Sequence, residues 1–227
     1  MVIRTDTIVD EYLTTLGEAT RALPRREIQQ AVDILYECWL RAGTVFALGN
    51  GGSASTASHL ACDLAKATMV PGRRRLKALA LVDNVPLVSA WTNDSGFSSV
   101  FAEQLEPWLR AEDVLVALSV HGGSGDGDAG PWSQNLSRAV ALARSRGARV
   151  IGLSGFGGGL LADQANVCIV VPAGEEPLGT PLVESLHVAV HHLFCVALRQ
   201  RIADAGPDAG PNGRRDRGDL PGHSQPG

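Results

Sequence analysis

Two segments far apart in the chain carry the side chains best suited to proton transfer and metal binding. His59 and Asp63 are four residues apart, so on a helix both side chains rise from one face and can share a proton or a divalent cation. A run of histidines on an apolar helix is uncommon unless partners or a metal satisfy them. Such a run follows near the other end of the chain, at Glu184, His187, His191 and His192.

The residue types alone leave open which histidine of the second segment faces the first. At about 100° of rotation per residue, His187 and His191 lie within about 60° of Glu184, and His192 lies about 80° away. Geometry slightly favours His191 over His192. For His59 and Asp63 taken alone, a surface contact is the alternative interpretation, because polar pairs at this spacing are common on exposed helices.

A glycine-rich loop, GNGGSAS at residues 49–55, stands where a strand should end and a helix begin. Glycines let the backbone turn tightly and approach a ligand, Ser53 or Ser55 can cap the helix, and the free amides at its start favour an anion. The loop therefore predicts a phosphate site, although it matches neither a Walker sequence nor a clean GxGxxG. A turn capped by serine is the alternative.

A second loop of this kind, SVHGGS at residues 119–124, follows another apolar strand. In open α/β sheets the ligand crevice lies outside the carboxyl ends of the strands, so the two loops can face one ligand. Ser119 and Ser124, with the hydroxyls of the first loop, offer neutral donors for a phosphate monoester. A flexible surface loop is the alternative interpretation.

Short apolar runs alternate with helical segments along most of the chain, which indicates βαβ units and a parallel sheet covered by helices on both faces. The runs are nearly continuous in apolar residues, as expected of buried parallel strands. We predict strands near residues 45–48, 78–82, 114–118, 150–153 and 167–171.

The periodicity of apolar residues divides the chain into three parts. Residues 1–43 form an N-terminal segment of two helices broken at Leu23-Pro24, and residues 44–202 form an α/β domain that closes with a long helix over 182–202. Residues 203–227 are rich in Gly, Pro, Asp and Arg and contain a single large apolar residue. We expect that tail to be disordered, because it cannot offset its own ordering entropy.

Composition narrows the class of protein. The 227 residues are 44% hydrophobic and 19% charged, which fits a globular chain rather than a disordered one or a membrane bundle. No apolar run approaches the ~18–20 residues of a membrane span, and no secretory signal is apparent. A net charge of −4 argues against nucleic acid as a partner. We expect a cytoplasmic protein whose four cysteines, without a CxxC motif, are buried reduced thiols.

Five motifs follow one another along the chain: GNGGSASTASHLACDLA from Gly49, TNDSGFSSVFAEQLE at 92–106, EDVLVALSVHGGSG at 112–125, GARVIGLSGFGGG at 147–159, and ESLHVAVHH from Glu184. In this order they resemble the sugar isomerase (SIS) domain as built in the phosphoheptose isomerase family. The resemblance spans roughly residues 5–202 and leaves out the tail.

The resemblance implies a three-layer α/β sandwich with a five-stranded parallel sheet of flavodoxin-like order. It also implies a homotetramer with active sites at subunit contacts, and isomerisation of sedoheptulose 7-phosphate, an aldose–ketose conversion through a cis-enediol. By position, Asp63 is the base and His192 the acid. The zinc ligands fall on His59, Asp63, Glu184 and His192. The residues that bind substrate and phosphate fall on Asn50, Gly51, Gly52, Ser53, Ser55, Asn93, Asp94, Ser119, His121 and Ser124.

The chain also departs from the family pattern. Asp63 stands where the family has glutamate and Glu184 where it has glutamine, so the site holds two carboxylates. Zinc accepts both, and the extra negative charge should tighten its binding. Further departures are Ala67 in place of an arginine, His121 in place of a serine, Pro181 in place of an aspartate, and an insertion around 126–128. These changes keep the phosphate end of the site and alter the sugar end.

Two other functions fit the same fold. Some sugar isomerase domains only sense sugar phosphates, and a relative of this family binds the bacterial replication initiator. A pure binding protein has no need for a histidine–carboxylate group, which favours the enzyme. An isomerase of a different ketose phosphate, in specialised sugar biosynthesis, is the second alternative.

Overall fold

The chain folds into a parallel sheet that lies between two layers of helices, as the sequence predicts. The computed structural model describes residues 5–123, 133–172 and 175–206. The strands are β1 (Thr44–Gly49), β2 (Lys77–Ala80), β3 (Val114–Leu118), β4 (Arg149–Gly155) and β5 (Val167–Val171). The helices are α1 (Thr5–Arg21), α2 (Arg25–Leu40), α3 (Gly52–Lys66), α4 (Val85–Ser95), α5 (Val100–Leu105), α6 (Gln134–Ser145), α7 (Gly159–Gln164) and α8 (Gly179–Asp204).

The strand order is β2-β1-β3-β4-β5, the predicted flavodoxin-like order. The chain moves outward from β1 to β2 and then returns to the other side of β1, so the order reverses between β1 and β3. In their parallel register Gly49 pairs with Leu118. The loops that follow these two residues therefore leave the sheet side by side, where ligands bind in folds of this type.

Strand β2 is shorter than the predicted strand over 78–82. It ends at Ala80, and Leu81 keeps one further bond, from its amide to the carbonyl of Ala47 (2.9 Å). As the outer strand, β2 has a neighbour on one side only, and Leu79 is 55% exposed. The apolar run in the sequence thus includes the strand and the start of the turn after it, where Leu81 is buried.

Two hydrophobic clusters lie on opposite faces of the sheet. One cluster joins β1 and β3 to α2, α3 and α8 and includes the fully buried side chains of Trp39, Leu60 and Phe194. The other joins the opposite face to α5 and α6 and includes Phe101 and Leu136. Helices α3 and α8 thus belong to the same layer.

Helix α8 is 26 residues long and buries one apolar stripe, with Leu186, Val190, Phe194 and Leu198 at intervals of four residues. By length and composition alone it could cross a membrane, but half of its apolar stretch is buried in the protein and it packs on α2 and α3. We interpret it as a core helix. It begins at Gly179, three residues before the predicted start, so that Pro181 falls in the first turn, where no amide donor is required.

Candidate functional site

Helices α3 and α8 pack together and run in the same direction. Gly52, in the first turn of α3, touches Glu184 in the first half of α8, and two turns later His59 touches His191. Residues that are far apart in the sequence are therefore placed side by side. The two contacts are separated by the same number of residues on α3 and on α8.

Three imidazoles converge on one carboxylate at the centre of this contact. The Nε2 atoms of His59 and His192 each lie 3.4 Å from Oδ2 of Asp63, and Nδ1 of His191 lies 3.9 Å from the same oxygen. One ligand atom from each of the four residues falls within 4.8 Å of all the others. The structure thus brings together three of the four residues that the resemblance assigns to a metal, and adds His191.

The four side chains differ in their access to water. His59 and His192 are about half exposed (48% and 49%), Asp63 is 22% exposed, and His191 is fully buried. Burial, reinforced by the neighbouring His192 and His59, lowers the pKa of His191 to about 4 even though Asp63 opposes the shift. His191 is therefore a neutral imidazole at physiological pH, with a lone pair to offer.

Glu184 lies outside this group of four. Its carboxylate lies against Gly52, so closely that a Cβ at position 52 would overlap it. Glycine is therefore needed at position 52 to let the carboxylate approach the start of α3. The assignment of Glu184 as a zinc ligand stays a prediction from the resemblance.

The remaining histidine of α8, His187, has a structural contact. It is fully buried, and its Nε2–H donates a hydrogen bond to the carbonyl oxygen of Ser154 in β4 (3.2 Å). Burial lowers its pKa to about 4, with the Ser154 bond opposing the shift. His187 ties α8 to the sheet and does not join the group around Asp63.

The glycine-rich loop after β1 leaves the start of α3 open. Gly51, at a φ of +58°, precedes the first helical residue, Gly52, and no side chain caps the helix. The predicted capping by Ser53 or Ser55 is wrong, because the helix begins before both residues. Ser53 is buried and Ser55 is exposed. The first amides of α3 have no partner within the helix and favour an anion.

Asn50 is held by a residue that no sequence motif predicted. Its side-chain amide and that of Asn135 donate to each other (3.1 and 2.9 Å). Asn135, at the start of α6, is fully buried, and its Oδ1 also accepts a bond from the amide of Leu136 (2.9 Å). One sign of this role is visible in the sequence: Asn135 is a polar residue directly beside the apolar stripe of its helix.

The loop after β3 is held by a hydrogen bond within the loop and by another from α7. Oγ of Ser119 accepts a bond from the amide of Gly123 (3.0 Å), and the carbonyl of Gly122 accepts one from the amide of Leu161 (2.9 Å). His121 is exposed, and its ring stacks on that of Phe156 with centroids 4.5 Å apart. Ser124 and the 126–128 insertion lie outside the described residues.

Asn93 and Asp94 lie on α4, in the layer opposite to α3 and α8. Both are exposed, and the amide of Asn93 donates to Asp94 (2.7 Å). Helix α4 packs on the short 3₁₀ turn at Phe97–Ser99 and on α5, and it contributes no fully buried residue. Within one chain these two residues are not grouped with Asp63, and their contact with substrate stays a prediction.

The cysteines are free thiols, as predicted, but they are not all buried. Cys38 and Cys195 are buried, which raises the pKa of each to about 12, and burial also raises the pKa of Cys168. Cys62 is exposed on α3, so the expectation of burial is wrong for this residue. Its position on the helix faces away from the apolar stripe that packs on the sheet.

The arrangement is suited to moving protons. A partly exposed carboxylate next to two accessible imidazoles supplies a base and an acid within one site. The open start of α3 lies two turns away from His59, about 10 Å at 1.5 Å per residue. An anionic group bound at the start of α3 would leave the other end of an extended ligand near Asp63.

Comparisons with known proteins agree with this geometry. A family model for the SIS domain matches residues 11–155. The chain is 50% identical over 190 residues to the lincomycin biosynthesis protein LmbN of Streptomyces lincolnensis, covering 84% of this chain and 68% of that protein. It is 38% identical over 168 residues to the phosphoheptose isomerase of Rhodospirillum rubrum, covering 74% and 82%.

One solved structure shares this fold over nearly the whole length of the solved protein. The phosphoheptose isomerase GmhA of Neisseria gonorrhoeae superposes with a TM-score of 0.72 at 29% identity, covering 87% of this chain and 97% of that one. The family model, the sequence relatives and the fold agree. The chain therefore belongs to the SIS domain family and, within it, to the phosphoheptose isomerase group.

Proposed function

We propose that this protein is an aldose–ketose isomerase that converts sedoheptulose 7-phosphate to a heptose 7-phosphate. The observation that carries the proposal is that the imidazoles of His59 and His192 each lie 3.4 Å from the carboxylate of Asp63. This group lies two to three turns along α3 from the open start of that helix. The relatives named phosphoheptose isomerase support the same reaction.

Binding begins with the phosphate. The open amides of α3 and the loop at residues 119–123 lie at adjacent strand ends, and the Asn50–Asn135 pair fixes the first of these loops. Donors that are held in place before the ligand arrives need no reordering when it binds. The phosphate is thus held at one end of the crevice, and the carbonyl end of the open-chain sugar lies toward Asp63.

Proton transfer falls to Asp63 and His192. Asp63 removes the proton from the carbon next to the carbonyl, and His192 supplies and removes protons on the two sugar oxygens. The resulting cis-enediol is reprotonated at the neighbouring carbon, which converts ketose to aldose. Both steps require a base and an acid within reach of the same substrate atoms. The 3.4 Å contact between Asp63 and His192 supports assigning these roles to the two side chains.

The residues also fit a bound zinc ion. Imidazole and carboxylate are ligands that zinc prefers, and a buried imidazole without a hydrogen-bond partner, His191, belongs to the same group. The resemblance assigns His59, Asp63, Glu184 and His192 to the metal. When bound, zinc would polarise a sugar oxygen as a Lewis acid.

The proposal includes a homotetramer and a cytoplasmic location. Support for the assembly comes from apolar side chains that the single chain leaves exposed on α1, at Ile8, Val9 and Leu13. The cytoplasmic location is supported by the four free thiols, which suit a reducing compartment. Light scattering coupled to size-exclusion chromatography tests the assembly directly.

One experiment tests the reaction and the role of the metal together. The purified protein is incubated with several ketose phosphates in deuterated water, with and without a chelator, and the products are analysed by NMR and mass spectrometry. We expect aldose phosphate carrying deuterium at the carbon next to the carbonyl, and loss of that signal with chelator. Binding without any exchange, for every ketose phosphate tested, would support a sensor in place of an enzyme.

A different ketose phosphate is the second candidate substrate. The 50% identity to a lincomycin biosynthesis protein favours this alternative, together with the changed residues at the sugar end, His121 and Pro181. Including ketose phosphates of other chain lengths in the same experiment separates the two candidates. The preferred substrate is the one with the highest kcat/KM.

A further inference from the structure

His191 is a buried imidazole with no hydrogen-bond partner. Its side chain is fully buried, and among the described residues neither of its ring nitrogens finds a donor or an acceptor. A buried polar group without a partner destabilises a fold, so such a group calls for an explanation such as an ion that is bound in the working protein.

The surroundings of His191 show what kind of partner would satisfy it. Its ring lies 4.6 Å from the ring of His59 and 4.2 Å from that of His192, and its Nδ1 is 3.9 Å from Oδ2 of Asp63. The neighbouring imidazoles and the carboxylate all turn ligand atoms toward the same small volume. A divalent cation at this point would be reached by four protein ligands.

His187 shows that burial alone does not produce this arrangement. It lies one turn earlier on the same helix and is equally buried, and its Nδ1 also lacks a partner. Its Nε2–H, however, donates to the Ser154 carbonyl, and among the described residues no carboxylate contacts it. The two histidines differ in what surrounds them. His187 faces the sheet, and His191 faces the ligands on α3.

Glu184 is in a different place. Its carboxylate lies on Gly52, at the start of α3, whereas His59 and Asp63 lie two and three turns further along that helix. Two turns correspond to about 10 Å. In this position the Glu184 carboxylate lies beside the first turn of α3 and does not join the group of four ligands.

We propose that His191 completes the metal site of this protein in place of Glu184, so that three imidazoles and one carboxylate hold the ion: His59, Asp63, His191 and His192. The inference rests on the proposed function in one respect only, namely that the site binds a metal. It concerns which residues bind the ion and does not depend on the sugar that is isomerised.

The test measures zinc affinity without substrate. The metal-free full-length protein is titrated with zinc in competition with a chromophoric chelator, and the wild type is compared with His191→Leu, His191→Phe and Glu184→Ala. We expect both His191 variants to lose more than the roughly 10- to 100-fold in affinity that loss of an outer partner causes. We expect Glu184→Ala, which removes the carboxylate entirely, to bind zinc within a few-fold of the wild type.

Thermal unfolding controls for damage to the fold. Without metal, His191→Leu should unfold at or above the wild-type temperature, because leucine removes an unsatisfied buried polar group. Zinc should raise the unfolding temperature of the wild type and of Glu184→Ala and leave that of His191→Leu unchanged. His187→Gln, on the same helix, should keep the wild-type response to zinc.

The outcomes separate this inference from the proposed function. Wild-type affinity for zinc in the His191 variants, or a large loss in Glu184→Ala, would overturn the inference. Because the Glu184→Ala result does not depend on the folding of any His191 variant, the test remains decisive if those variants unfold. A wild type that binds no zinc at all would instead remove the metal from the proposed function.

Discussion

The side-chain amides of Asn50 and Asn135 donate hydrogen bonds to each other, at 3.1 and 2.9 Å, across the gap between the first glycine-rich loop and the start of α6. The pair joins two segments that are 85 residues apart in the sequence. Because Asn135 is fully buried, the first glycine-rich loop, to which the proposed function assigns the phosphate, is fixed from beneath by the core.

Replacing Asn135 by alanine should therefore weaken substrate binding as well as the fold. The change leaves the amide of Asn50 and the backbone amide of Leu136 without partners, at about 1–3 kcal/mol for each group that stays buried. We expect a raised KM for the sugar phosphate and a lower free energy of unfolding in urea. Gln134→Ala, an exposed neighbour, is the control, and equal KM values in the two variants would contradict the prediction.

Replacing Asp63 by asparagine should abolish turnover while the protein stays folded. A general base contributes about 10²–10⁴-fold to the rate, and asparagine keeps the shape of the side chain without its basicity. Stopped assays of aldose phosphate measure kcat, and thermal unfolding checks the fold. Asp163→Asn, at an exposed carboxylate of α7, should behave as the wild type. Wild-type kcat in Asp63→Asn would remove Asp63 as the base.

The two glycine-rich loops on β3 and β4 interlock, which gives a prediction for Gly122. Gly122 has a φ of +71°, and a Cβ there would overlap the carbonyl of Gly158. Gly122→Ala should lower the free energy of unfolding by at least about 2 kcal/mol, from backbone strain and the collision together. A chemical denaturation curve measures the loss.

Gly157→Ala is the matched control for that change. Gly157 lies in the neighbouring loop, and no atom lies within 4 Å of the place its Cβ would take. Its stability should stay within about 0.5 kcal/mol of the wild type. Equal losses in the two variants would show that the interlocked backbone does not contribute to stability.

The stability of the metal-free protein should fall between pH 6.5 and pH 4. Burial lowers the pKa of both His187 and His191 from 6.5 to about 4, so the unfolded chain binds more protons than the folded one in that window. Their contribution is complete above pH 6.5 and is lost as the pH falls through 4.

Removing one of these histidines should reduce the pH dependence. His187→Gln should lower the slope of unfolding free energy against pH by about 1.4 kcal/mol per unit inside the window. Urea denaturation at several pH values, in the presence of a chelator, measures the slope. An unchanged slope would mean that His187 does not stay neutral in the folded protein.

Thiol reactivity should single out one cysteine. Cys62 is exposed, whereas burial raises the pKa values of Cys38, Cys168 and Cys195 and keeps them protonated. A chromogenic disulfide reagent should therefore titrate one thiol rapidly in the native protein, and Cys62→Ser should lose that phase. Cys168→Ser should keep it. Two thiols reacting at equal rates would contradict the prediction.

Apolar periodicity predicted the alternating strands and helices, and with them a parallel sheet between two helical layers. The strand order and the meeting of α3 with α8 were implied by the resemblance to the sugar isomerase family. Neither source could place Glu184. Rotation about α8 puts Glu184 within about 60° of His191, but the two residues are separated by about 10 Å along the axis. The angular position of a residue around the helix does not show which side chains share a site, because it leaves out their separation along the helix axis.

The sequence also treated His191 and His192 as alternatives, and the structure brings both to Asp63. Adjacent helical residues point about 100° apart, so both can reach one centre only where the partner helix lies between their two directions. Asn135 was missed for a similar reason, since its partner, Asn50, lies on another element and no local pattern links them.

Helix α4 contributes no fully buried residue to the core, and it carries the two residues assigned to the sugar, Asn93 and Asp94. Exposed positions can be replaced at little expense in folding, whereas α3 and α8 are built into the centre of the molecule. Mutagenesis libraries restricted to α4 should thus yield soluble variants with new sugar preferences. In a scaffold of this design the exposed helix can vary in sequence while the buried helices, and the histidine–carboxylate group that they carry, stay fixed.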